Sequence, residues 1–190
     1  MLTFFRRKNG PEQIAAETLY GALLVQSRQP VFYMDLQVPD TVDGRFDMVL
    51  LHSFVILRRL GHLGRAGDKA ASRLSQAVYD VMFVDMDRAV REIGVGDLSV
   101  KKHVRRMMKA FNGRVAAYDA GLGDDPALYE ALRRNLYGTV REEIPEEVLA
   151  VMAAYLKQSV GKMDTLDLDA LAKGIVRWGD LPETAQRKRA

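Results

Sequence analysis

Two stretches of the chain carry aspartates at spacings that could support chemistry. Asp40, Asp43 and Asp47 recur at three- and four-residue steps, and Asp80, Asp85 and Asp87 stand on a second helical stretch. Two acid-bearing helices can hold Mg²⁺ and a diphosphate, the arrangement an isoprenoid or diphosphate enzyme needs. Geometry weakens this reading, because Asp80, Asp85 and Asp87 do not share a helical face. Asp40 and Asp43 also suit a helix start, where carboxylates accept from free backbone N–H groups. No Glu-x-x-His pair occurs, so the di-iron pattern of helical bundles is missing. Of His52, His62 and His103, the first lies inside an apolar run and reads as a satisfied core residue rather than a ligand or base. Gly61, Gly64, Gly94 and Gly96 have no following Lys-Ser/Thr and no preceding strand, so they form no phosphate loop. No catalytic residue, metal site or cofactor is assigned, and the Mg²⁺-dependent diphosphate or isoprenoid enzyme stays as an alternative reading.

Two further groups carry charge. Lys101, Lys102, Arg105, Arg106 and Lys109 make a basic face on one helix. Such a face fits RNA, anionic lipid or an acidic protein, and equally a solvated surface. No aromatic residues interleave with it, which weakens single-strand binding, and DNA is not an expected partner. Asp85 falls on the edge of an apolar arc, where a carboxylate must find a partner or a route to water. Arg88, three residues on, makes the two a candidate structural lock. At the N-terminus, Leu2, Phe4 and Phe5 precede Arg6, Arg7 and Lys8. They read as a foot on an anionic membrane surface, or as aromatics folded onto the core.

The elements that position these groups are helices. Pro11 opens the first, which ends at Gln29-Pro30. Residues 31–38 read as a loop carrying Phe32 and Tyr33. Asp40 or Thr41 caps a second helix that is apolar on nearly every side from Phe46 to Leu60, the pattern of a central bundle helix. Arg58-Arg59 and the following glycines end it. A long helix over Leu74–Ile93 stops at Gly94, and it is the element around which the others are expected to pack. Helices over Ser99–Tyr118, Asp125–Tyr137 and from Pro145 follow, then a short segment over Asp164–Trp178. The expected class is all-α, an irregular bundle of about seven helices. Residues 1–10 form the foot, 11–140 the core, 141–180 further helices of the same domain, and 181–190 a mobile basic tail.

Composition sets the outer bounds. A chain of 190 residues with 48% hydrophobic content is long and apolar enough for one large core. Lys and Arg total 28 against 25 acids, a mild excess that permits an anionic partner without demanding one. With no cysteine, disulfides and thiol catalysis are excluded. Neither a secretory signal nor a membrane span is recognised. The expected location is cytoplasmic, with a peripheral position on the inner face of the inner membrane as an extension of it.

Longer motifs carry a resemblance. LYGALLVQSRQPVFY (19–33), VPDTVDGRFDMVLLHSFVILRRL (38–60), LSQAVYDVMFVDMDRAVREIGVGDLSVKKHV (74–104) and FNGRVAAY (111–118) resemble the ubiquinol–cytochrome c chaperone family, particularly its alphaproteobacterial members. The resemblance covers Leu19–Tyr137. It implies an all-helical, non-enzymatic assembly factor for ubiquinol–cytochrome c reductase (complex III) that binds newly made cytochrome b. It also implies a small partner subunit and a ribosome as partners. A chaperone of a membrane protein needs available apolar surface. Pro30, Phe32, Tyr33 and Phe46, with the adaptable side chains of Met82, Met86 and Met107, are the expected client contacts.

Overall fold

A computed structural model describes residues 10–92 and 97–182; at Val90, at 97–106 and at Met108 only the backbone is described. The described residues are all-helical. The helices are α1 (Pro11–Ser27), α2 (Pro30–Met34), α3 (Val42–Arg65), α4 (Lys69–Glu92), α5 (Asp97–Gly121), α6 (Asp125–Asn135), α7 (Glu146–Asp164) and α8 (Leu168–Ala172). The expected stop at Gly94, residues 1–9 of the 1–10 foot and residues 183–190 of the 181–190 tail lie outside the described residues.

Local chemistry explains the boundaries. Pro11 stands at the start of α1, where no N–H is needed. Thr41, not Asp40, caps α3 by accepting from the Gly44 N–H at 3.1 Å. Gly44 is required there, since a Cβ would lie 2.0 Å from the Pro39 carbonyl oxygen. α3 runs through Gly61 and Gly64 and ends only at Arg65, because the positive φ of 101° that reverses the chain belongs to Gly67. Asp124 caps α6 by accepting from the Ala127 N–H at 3.4 Å.

Two expectations change. The stretch after Pro30 is not a loop but the short helix α2: proline is as good a helix opener as it is a terminator of the helix before. The centre of the bundle is also shared. α4 packs on α1, α3 and α5, whereas α6, α7 and α8 rest on α5, α3 and α1. The longest unbroken run of buried residues, 50–56, belongs to α3, and burying apolar side chains on all its sides makes it the bundle's axis. α4 instead turns one side to solvent, with Val84 68% exposed.

Candidate functional site

Two stretches of α3 line different environments. Its C-terminal half, with α4 and α5, lines an open groove of about 620 Å³. Phe54, Leu60 and Phe111 are buried at its floor, and Leu57, Tyr79 and Val115 are half-buried along its walls. Glycine shapes the depression. A Cβ on Gly64 would come within 2.5 Å of Ser72 Oγ, so α3 and α4 approach closely there, and one on Gly61 would meet Arg65 Nη1 at 3.3 Å. The Tyr79 ring lies 4.5 Å from Phe83 and 6.1 Å from Phe111, distances at which aromatic rings attract. Polar groups rim the groove. Arg58 donates to Asp119 at 2.7 Å and to Asp164 at 2.9 Å, tying α3 to α5 and α7. Arg59 donates twice to the Leu166 carbonyl oxygen, at 2.8 and 2.6 Å. The lining offers no nucleophile with an adjacent base; it offers apolar area, the three aromatic rings of Phe54, Tyr79 and Phe111, and a polar edge, which suits an apolar helix face or strand.

The middle of α3, residues 50–56, is sealed. His52 is fully buried. Its Nδ1–H donates to the Met48 carbonyl at 2.8 Å, which leaves Nε2 to accept from the Tyr155 hydroxyl at 2.8 Å. Gln26 Nε2 donates to the same hydroxyl at 3.1 Å, so α1, α3 and α7 share one polar chain. Burial pushes the imidazole down to about 4 and raises the Tyr155 hydroxyl well above its ordinary range. Phe32 and Trp178 stand edge-on to the His52 ring at 5.4 and 4.9 Å.

None of the seven expected client contacts lines the groove. Pro30 is exposed, and Tyr33, Phe46 and Met107 are half-buried. The Tyr33 hydroxyl donates to the Ser27 carbonyl at 2.7 Å. Phe32, Met82 and Met86 are core residues at 0, 0 and 3% exposure, so in this conformation they present no surface. In the expected lock, Asp85 finds a different main partner: the Tyr20 hydroxyl donates to it at 2.9 Å, while Arg88, 73% exposed, stands 3.5 Å away. Burial and the Asp85 carboxylate together raise the Tyr20 hydroxyl. Of the anionic-partner face, Lys109 is exposed, and the side chains of Lys101, Lys102, Arg105 and Arg106 lie outside the described residues.

The aspartates serve separate ends. Asp40 pairs with Arg45, Asp47 with Arg114 at 2.7 Å, and Asp87 with Arg91, while Asp80 accepts from Gln76. Burial pushes the Asp47 carboxyl up to about 7, against the pull of Arg114. Among the described residues no three His, Asp or Glu side chains come together as a metal site. No helix among them is long and apolar enough to cross a membrane.

The groove residues were visible in the sequence only as pieces. Gly61 and Gly64 read as helix terminators, and Val115 falls on the apolar side of the helix over Ser99–Tyr118. Glycines continuing inside an apolar helix are the signal that could have marked a close approach.

Comparison with known proteins adds an independent line. A family model described as ubiquinol-cytochrome C chaperone matches residues 34–178. The chain is 29% identical over 173 residues to ubiquinol-cytochrome c reductase complex assembly factor 1 of Mus musculus, covering 90% of this chain and 57% of that protein. The Xenopus laevis relative of the same name is also 29% identical, with 90% and 84% covered. The chain thus spans little more than half the length of the mouse relative. The crystal structure of the Cbp3 homolog from Brucella abortus is similar at 34% identity and a TM-score of 0.79, covering 93% of this chain and 94% of that one.

Proposed function

The chain belongs to the ubiquinol-cytochrome C chaperone family, and we propose that it is an assembly chaperone of ubiquinol–cytochrome c reductase, binding newly made cytochrome b through the α3–α4–α5 groove. The observation that carries this reading is the open apolar groove with Tyr79 and Val115 on its walls, on a helical scaffold matched by that family. An unfinished membrane protein has apolar segments that aggregate unless covered. The groove offers such a segment an apolar floor and a polar rim without a catalytic step. The similarity to complex III assembly factors supports the choice of client. The client's membrane location and the basic run Lys101–Lys109 support a peripheral position at the inner face of the membrane. The same run is where a ribosome or an acidic partner subunit would make contact.

The test replaces Leu57 or Val115 by glutamate in tagged protein, with circular dichroism to establish folding. Wild-type protein is expected to recover cytochrome b from membranes and to restore complex III in a deletion strain; folded Leu57→Glu and Val115→Glu are expected to do neither. Full recovery of cytochrome b by both folded variants would remove the groove from the reading. Unchanged complex III after deletion, with no cytochrome b recovered by wild type, would remove the function itself.

A further inference from the structure

The segment after α8 crosses the sealed side of α3 and α7 without forming a helix. Gly174, at φ +76°, turns the chain against α1, where a Cβ would meet Thr18 at 2.4 Å. Val176, Trp178 and Leu181 then pack partly buried against the core. Trp178 stands edge-on to His52 at 4.9 Å. Gly179 lies flush on α7, with room for no Cβ: one would sit 2.4 Å from the Tyr155 carbonyl oxygen. The segment's polar ties run to side chains. The Gly179 N–H donates to Ser159 Oγ at 2.8 Å, the Asp180 N–H to Gln158 Oε1 at 3.0 Å, and Lys162 donates to the Asp180 carboxylate at 2.6 Å. Arg177 also donates to Thr165 Oγ1 at 3.2 Å, and among the described residues the backbone–backbone hydrogen bond of 175–181 is that of the Ile175 N–H to the Ala170 carbonyl at 3.0 Å, at the Gly174 end. Few shared backbone bonds and an exposed ion pair are the marks of a segment that opens without the rest of the fold.

Beneath it the structure is already complete. His52 and Tyr155 satisfy one another and Gln26, and Phe32 lies 5.1 Å from the Tyr155 ring. None of these bonds needs the covering segment, so lifting it leaves no buried polar group of the His52 chain orphaned. What it uncovers is a slot made by the His52 ring beneath Trp178 and the α7 surface at Tyr155, Ser159 and Lys162.

We propose that residues 175–181 are a displaceable strap hinged at Gly174, and that the slot beneath docks a partner segment with the strap's own chemistry. That chemistry is an aromatic side chain edge-on to His52, then a residue of glycine size whose N–H reaches Ser159 Oγ, then a carboxylate for Lys162. The slot is separate from the α3–α4–α5 groove, and the proposal stands whether or not the groove holds cytochrome b.

The strap carries the chain's sole tryptophan, which makes a direct test possible. The full-length Trp178→Ala chain has no indole, so a synthetic peptide Ile-Val-Arg-Trp-Gly-Asp-Leu-Pro, the sequence of residues 175–182, reports its own binding. A saturable blue shift of the peptide's emission is expected with Trp178→Ala, at an affinity about tenfold or more above that for wild type, whose closed strap competes. Absence of a saturable shift, or equal binding of a scrambled peptide, would overturn the docking slot. Hydrogen exchange on the unaltered chain tests the hinge without any substitution. The Gly179 and Asp180 amides are expected to exchange through a local opening, ahead of Leu51 and Leu156; exchange of all four in a single global step would overturn the strap.

Discussion

The sealed cluster around His52 and the open groove beside Gly61 lie on the same helix, roughly two turns apart. Around residues 50–56 every side chain is buried, because α1, α7 and the C-terminal segment close over α3. At Leu57, Arg58 and Arg59 burial is only partial, and beyond them Gly61 and Gly64 contribute no side chain to the lining. In the first region polar atoms are present and satisfied; in the second, apolar atoms are present and uncovered. A buried histidine with two good partners is part of the packing. Half-buried aromatics in a groove are available to something else. One helix thus serves stability at its middle and contact toward its C-terminal end.

Substitution should separate the two regions most sharply. Leu51→Ala, in the sealed stretch, is expected to cost about 2–5 kcal/mol in urea unfolding, the range for a fully buried leucine. Leu57→Ala on the groove wall should cost roughly 1 kcal/mol, while still weakening recovery of cytochrome b. Equal costs at the two positions would erase the contrast. Acid is the next lever. His52 is held at about 4, below its ordinary 6.5, so the unfolded chain takes up a proton that the folded chain refuses. Its contribution is therefore complete above 6.5 and lost as pH falls from 6.5 through about 4. Each unit corresponds to about 1.4 kcal/mol, so the loss approaches about 3 kcal/mol, and a His52→Gln chain should lack this step in its pH–stability curve.

Tyr155→Phe removes the hydroxyl that serves both His52 and Gln26. It is expected to cost about 1–3 kcal/mol, the penalty for buried partners left unsatisfied, with no change in client recovery. The smallest effect concerns Asp85, which lies in neither region. Tyr20→Phe should cost about 1 kcal/mol, since the hydroxyl is the main partner of Asp85. Arg88→Ala should stay within about 0.5 kcal/mol, because that arginine is largely in solvent. The reverse order would restore the Asp85–Arg88 pair as the lock.

Much of this scaffold could be read directly. Apolar residues at three- and four-residue steps located six long helices, and the apolar run Phe46–Leu60 marked α3 as buried, since these signals are local. Errors arose where one residue type serves two purposes. Pro30 ended α1 and also began α2. Phe32, an aromatic beside a proline, fitted either core packing or a client contact; in the fold it is buried against His52 and Tyr155, which approach it from α3 and α7. Asp85 was recognised as needing a partner, but the partner lies 65 residues away on α1.

The sequence by itself determined the all-helical class, the helix faces and the need of Asp85 and His52 for hydrogen-bond partners, because periodicity and desolvation act residue by residue. Only the tertiary structure decided that Tyr79, Val115 and Gly61 share a groove, and that Trp178 covers His52. Those juxtapositions join helices and a C-terminal segment far apart along the chain, and their positions follow from how the helices cross, which no local pattern encodes.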